Sequence, residues 1–168
     1  MKAEGAAGPR GPHAQVQILL DLIDEAFSRR SWHGTNLAGS IRGLRPALAA
    51  CRPSPGRHSI RELVVHAAYW KYAVWRRLVS EKRGTFPLAG SNWFPRPDEA
   101  DARGWAADVA LLKAEHRRLR EAVSRLTPAG LRRVPAGSRF TVAALVRGAA
   151  AHDLYHAGQI QLLKRLAG

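Results

Sequence analysis

The chain has 168 residues, a single cysteine and a formal net charge of +14, with a pI of about 11.4. That length suits one domain whose core needs no cross-links, and Cys51 alone excludes an intramolecular disulfide or a thiolate cluster for a metal. No uncharged apolar run approaches the roughly 20 residues that span a bilayer, and 22 of the 27 basic residues are arginines strewn along the whole chain, whereas nucleic-acid readers gather their charge. The expected setting is soluble and cytoplasmic, with no membrane and no nucleic-acid partner.

Met1 to Pro12 is Gly, Ala and Pro with scattered charge. It lacks the apolar stretch of a signal peptide and reads as a disordered leader before a domain over residues 13–168. Val16, Leu19, Leu20, Ile23 and Phe27 recur at helical spacing, which predicts a first helix from about His13 to Arg30. Trp32-His-Gly-Thr-Asn36 interrupts it. Leu37, Ile41 and Leu44 predict a short extra helical segment that ends toward a Pro-rich connection, Pro46 to Gly56.

Ser59-Ile-Arg-Glu62 is a capping box in which the serine oxygen and the glutamate carboxylate each take up one free backbone N–H. The helix it opens should run to about Lys82, with Leu63, His66, Trp70, Val74 and Arg77 on one stripe, and Gly84 and Pro87 mark its end. The linker through Trp93-Phe-Pro-Arg-Pro97 cannot be regular helix. Asp98 or a neighbour can cap a third helix with the stripe Trp105, Val109, Leu112, His116, Leu119, Val123 and Leu126, which Thr127-Pro-Ala-Gly130 stops. Thr141 is a good N-cap for the last helix, with the stripe Leu145, Ala149, His152, His156, Gln159, Leu163 and Leu166. Four amphipathic helices with no convincing strand predict an all-α four-helix bundle.

Four of these inward positions hold histidine, and three of them can share one ion. His152 and His156 are an i, i+4 pair on one helix face, and His66 sits on another helix. Three imidazoles buried without partners cost about 1–3 kcal/mol for each unsatisfied group. A metal ion would satisfy one nitrogen of each and leave the other to an acceptor. Three imidazoles suit zinc and keep a position open for water or substrate. Hydrogen-bonded core histidines are the competing reading, and no Glu follows His152 to make a metalloprotease motif. His116 reads as a fourth ligand, an acid/base group or core. His58 and His33 read as parts of local turns.

The chain resembles the DinB-like and YfiT-like metalloenzymes. The resemblance is carried by Trp32-His-Gly-Thr-Asn-Leu37, His58-Ser-Ile-Arg-Glu-Leu-Val-Val-His66 with Trp70 and Arg77-Leu78, Trp93 in the connecting loop, and His152-Asp-Leu-Tyr-His-Ala-Gly-Gln-Ile160. It implies a four-helix bundle with one long crossover, commonly a homodimer, that holds a divalent metal through His66, His152 and His156. Zinc comes first, with nickel, iron or manganese as alternatives. Members with known activity include S-transferases for low-molecular-weight bacterial thiols, and others are labelled metal-dependent hydrolases.

These expectations lead to a metal-dependent S-transferase that presents a small thiol as its thiolate, since a metal-coordinated thiol is deprotonated. A metal-dependent hydrolase is the alternative, ranked second because the core stripes offer no carboxylate as base. A stress-related metal-binding or basic nucleic-acid-binding module is a third class. Trp32, Trp70, Trp93 and Gln159 are candidate walls of a substrate pocket. His116 and Tyr155 are candidate catalytic groups, though Tyr155 and Gln159 can equally be packing.

Overall fold

The computed structural model describes residues 13–167, so the expected leader lies outside the described residues. The elements are α1 (Ala14–Phe27), α2 (Leu37–Ile41), α3 (Pro46–Ala50), α4 (Ile60–Leu78), α5 (Ala102–Ser124), α6 (Pro128–Arg132) and α7 (Val142–Leu166), with no strand among the described residues. The fold is an all-helical bundle. Its four long helices are those the sequence periodicity predicts, and α2 is the expected short segment.

Local chemistry sets the helix ends. The capping box is formed: Ser59 Oγ accepts from the Glu62 N–H at 3.3 Å, and the Glu62 carboxylate accepts from the Ser59 N–H at 3.0 Å. Helix α4 ends at Leu78, short of Lys82, because Ser80 adopts a left-handed φ of 60°. Asp101, not Asp98, caps α5 by accepting from the Gly104 N–H at 2.9 Å. Thr141 caps α7 as expected. Two short helices were read as connections only. Pro46 opens α3 and Pro128 opens α6, each at the first turn, where the missing N–H costs nothing.

Side-chain pairs give the directions. Arg61 meets Asp108 at 2.9 Å, Lys71 approaches His116, and the Arg118 guanidinium lies over Trp75, so residue numbers rise together and α4 and α5 are parallel. Lys71 meets Asp153 while Leu63 and Leu163 wall one cavity and Arg77 and Leu145 another, so α7 is antiparallel to α4. Parallel neighbours require a return along the bundle, and residues 79–101 supply it as one long crossover. Its Phe86 and Phe94 pack at 5.2–5.4 Å on each other and on Tyr69 and Tyr72 of α4, which pins the crossover to the bundle.

The last helix is rotated from its predicted stripe. The side chains it buries most fully are Val142, Val146, Ala150, Asp153, His156, Ala157 and Ile160, whereas Leu145, His152, Gln159 and Leu163 are half-buried at the edge of that face. The expectation that no carboxylate points inward is therefore corrected. Asp153 is 1% exposed and paired with Lys71, itself 2% exposed. Asp108 and Glu115 are buried as well.

A buried pair stripped of one partner leaves an uncompensated charge. Lys71→Met is expected to lower unfolding free energy by about 3–5 kcal/mol, and Lys71→Met with Asp153→Leu should recover most of it. Urea unfolding of the two variants checks this, and a double variant no more stable than the single one would contradict it.

Candidate metal centre

Helix α4 presents His66 two turns after its capping box, and α7 presents His152 and His156 one turn apart. The antiparallel register brings them together. The Nε2 atom of His152 lies 3.1 Å from Nε2 of His66 and 3.0 Å from Nε2 of His156, and all three offer a ligand atom within 4.8 Å of the others. Nitrogens held at about 2.0–2.1 Å from one ion stand about 2.9 Å apart at right angles and about 3.3 Å apart in a tetrahedron. The observed spacings fall between these values.

The far sides of the rings fix their protons. His66 Nδ1 faces the backbone oxygen of Asn92 at 2.8 Å, and His156 Nδ1 faces Oε1 of Gln159 at 2.6 Å. Carbonyl oxygens only accept, so both Nδ1 atoms donate and both Nε2 atoms present lone pairs to a common point. A proton on His152 Nε2 can satisfy one of those lone pairs. A cation satisfies all three nitrogens. Burial holds His66 below the ordinary imidazole range and lowers His152 to about 3 and His156 to about 4, with the neighbouring imidazoles acting in the same direction. Neutral imidazoles are the form that binds metal. The three histidines thus form a cluster able to hold a metal ion, and the identity of the ion is left open by the donor set.

The crossover builds one wall. Asn92, at a φ of 65°, aims its carbonyl at His66 while its side-chain oxygen accepts from Trp70 Nε1 at 3.0 Å. Trp93 is sandwiched between His66 at 3.9 Å and His58 at 3.6 Å, both nearly parallel to it. His58 also reaches Glu62, so its local role extends to holding the tryptophan. A cavity of about 610 Å³ opens on the three rings, with Ser54, Arg57, Trp93, Tyr155, Gln159 and Leu162 in its walls and no carboxylate among them.

Trp93 and Gln159 therefore stand at the cluster, as does Tyr155, whose ring lies 5.1 Å from that of His156. Trp70 packs beside His66 and His152 at 6.2–6.3 Å but lines a neighbouring cavity. One expectation is corrected, and one of three alternatives is selected. Trp32 is fully exposed in the loop before α2, where the chain turns through Gly34 at a φ of 95°, and it lines neither the cavity on the cluster nor the neighbouring one. His116 is core. It stacks on Phe27 at 3.8 Å, its Nδ1 lies 3.5 Å from Lys71 Nζ, burial depresses it to about 2, and it is not one of the three grouped rings. His33 is exposed and bonded to Ser31.

Asn92 is the contributor that sequence reading missed. Its signal was weak but present, since asparagine tolerates positive φ better than any other residue with a side chain, and Gly90-Ser91-Asn92 is a turn-forming run.

The family model described as the DinB superfamily matches residues 29–160, which include all three histidines. Neither the curated proteins nor the solved structures gave a significant match.

Outer hydrogen-bond partners of metal-binding histidines contribute to affinity. For zinc held by this cluster, Gln159→Leu is expected to weaken binding by about 10–100-fold. Competition against a chromophoric chelator measures it, and unchanged affinity would remove Gln159 from that role.

Proposed function

The chain belongs to the DinB superfamily, and from that premise we propose that it is a divalent-metal-dependent S-transferase acting with a low-molecular-weight thiol. The observation that carries the reading is the convergence of three neutral imidazoles on one point beside an open cavity. His66, His152 and His156 would hold the ion, with zinc the first candidate and nickel, iron or manganese the others. When bound, the ion supplies the positive charge that keeps a thiol beside it deprotonated.

The chain's own residues do the rest. Asn92 and Gln159 hold the donor nitrogens in one tautomer. Trp93 and Leu162 line the approach with apolar surface, which thins the water around a thiolate and strengthens its attraction to a nearby charge. Tyr155, 63% exposed beside His156, is placed to donate its hydroxyl to a substrate that reaches the rings. Arg57 puts a cation in the cavity wall.

Thiol transfer asks for no general base once the thiol is ionised, whereas hydrolysis asks for one near the activated water. The cavity on the cluster has no carboxylate in its walls. Glu62 is occupied by Arg52 and its own cap, and Asp153 by Lys71. Hydrolysis therefore ranks second. The basic surface argues weakly for a nucleic-acid module, because many of its arginines are spent on local pairs such as Arg29 with Asp21 and Glu25, and Arg120 with Asp24. A homodimer follows from the resemblance, and a cytoplasmic setting from the single cysteine. No helix among the described residues is long and apolar enough to cross a membrane.

Elemental analysis of the purified protein beside its His152→Ala variant tests the metal, and thiol consumption against a panel of electrophiles tests the reaction. The expected result is near-stoichiometric metal in the parent, at least a tenfold loss in the variant, and thiol consumption that chelation abolishes. Metal-independent thiol consumption would overturn the mechanism, and equal metal in both proteins would overturn the site.

A further inference from the structure

A second cavity, of about 520 Å³, lies between α4, α7 and the turn at residues 137–140. It shares only His152 with the cavity on the cluster. Its walls are mostly apolar: Val74 from α4, Leu145 and Ala149 from α7, and Phe140, which stands 59% exposed at its edge. The size lies within the range of small-molecule sites.

The charges along this cavity are unevenly placed. Arg77 and Arg139 lie toward one end, level with Leu145, and among the described residues neither has a carboxylate within ion-pairing distance. Arg77 is half-buried, its one side-chain hydrogen bond goes to the Ala73 carbonyl, and burial pulls it below the usual arginine range. A guanidinium so placed lacks both full hydration and a counter-charge. At the other end stand Trp70, His152 and the buried Lys71–Asp153 pair, whose opposite charges are spent on each other. The distance along α7 from Leu145 to His152 is seven residues, about 10 Å of helix.

Gly148 lies midway along that wall. A side chain built there would meet nothing within 4 Å, so the glycine relieves no crowding within the protein and instead leaves the cavity wider. Glycine inside a helix costs about 1 kcal/mol relative to alanine. No packing contact of the fold requires it.

We propose that this cavity binds a small organic acid with an apolar body, its carboxylate on Arg77 and Arg139 and its chain running along Val74, Gly148 and Ala149 toward His152. The carboxylate supplies the counter-charge that the two arginines lack, through charge-assisted bonds. The apolar chain covers the walls and the ring of Phe140. This inference stands apart from the transferase reading, since it needs no metal. An occupant held by its acid group would nevertheless present its far end beside a side chain of the histidine cluster.

Octanoate is the probe, being a straight acid of matching length, and isothermal titration calorimetry with the full chain is the measurement. The parent should bind octanoate in a 1:1 ratio, and neutral octanol about tenfold or more weakly, the loss expected for a charge-assisted bond. Arg77→Gln should weaken octanoate to a similar degree. Gly148→Leu, whose Cβ would meet nothing within 4 Å, places a side chain in the wall of the cavity and should weaken octanoate at least tenfold while melting at or above the parent temperature. EDTA should leave octanoate binding unchanged. The proposal is overturned if the parent does not bind octanoate, if octanol binds equally well, if Gly148→Leu binds like the parent, or if EDTA removes binding, which would put the carboxylate on the metal. None of these results depends on whether thiol transfer occurs.

Discussion

One ammonium group touches all four long helices. Lys71 of α4 is paired with Asp153 of α7, lies 3.5 Å from His116 Nδ1 of α5, and sits 4.9 Å from the ring centre of Phe27 in α1. Apolar packing alone tolerates small slips of one helix past another, because a methyl group finds a similar surface one turn away. A buried charge does not, since a slip of one turn strands both ions in a medium that cannot solvate them. The pair therefore fixes the register of α4 against α7. His66 and Lys71 are five residues apart on one helix, and His152 and Asp153 are neighbours on the other, so the register that joins the ions also joins the imidazoles. The dry contact in the bundle centre and the open contact at its side are two consequences of one alignment.

The remaining precision comes from tethering the irregular chain to the start of α4. Arg52, just after α3, binds both oxygens of Glu62 at 2.7 and 2.8 Å and reaches Asp98 in the crossover at 2.6 Å. Glu62 is at once the cap of α4, the acceptor for Arg52 and a partner of His58. Asp98 is not the α5 cap that sequence suggested. It is the point where the crossover is tied down, six residues beyond the asparagine that orients His66. Loop residues that position a ligand must be held by something rigid, and here that is a helix N-terminus and one arginine with four acidic or carbonyl partners.

Much of this was legible in the chain because it rests on local rules. The capping box at Ser59 and the cap at Thr141 are short-range chemistry, and they set the phase of α4 and α7. The histidine pair on α7 is one helical turn, a geometry that spacing dictates. The rest depends on which way a helix faces. In the N-terminal half of α7 the segment Val142-Ala-Ala-Leu-Val-Arg-Gly-Ala-Ala-Ala151 is so rich in small residues that two stripes, one position apart, look equally apolar. Choosing Leu145 and His152 as the centre of the buried face put Asp153 outside it. The true face centres on Val146, Ala150 and Asp153 with His156 buried beside them, and His152 lies at its margin, where it meets both the core and a cavity. Trp32 was misplaced for a related reason: burial of a large aromatic is an average tendency, and a turn through a left-handed glycine overrides it.

The position of His152 at that margin has a chemical consequence. His66 and His156 are almost fully buried and reach the cluster from the packed side. A ring on the exposed face would be free to rotate and poorly placed to converge with two others. At the edge, His152 is held by its own helix, contacts the two imidazoles through Nε2 and separates two cavities of about 610 and 520 Å³. One cavity carries the nitrogen donors and the other carries unpaired arginines. A net charge of +14 surrounds both with a field that favours anions over cations of the same size. Metal capture must therefore work against the mean field of the protein, which neutral imidazoles with depressed proton affinity make feasible, while an organic acid or a thiolate is drawn with it. On the proposed reading, that charge draws small anionic substrates toward the helix that carries His152 and His156.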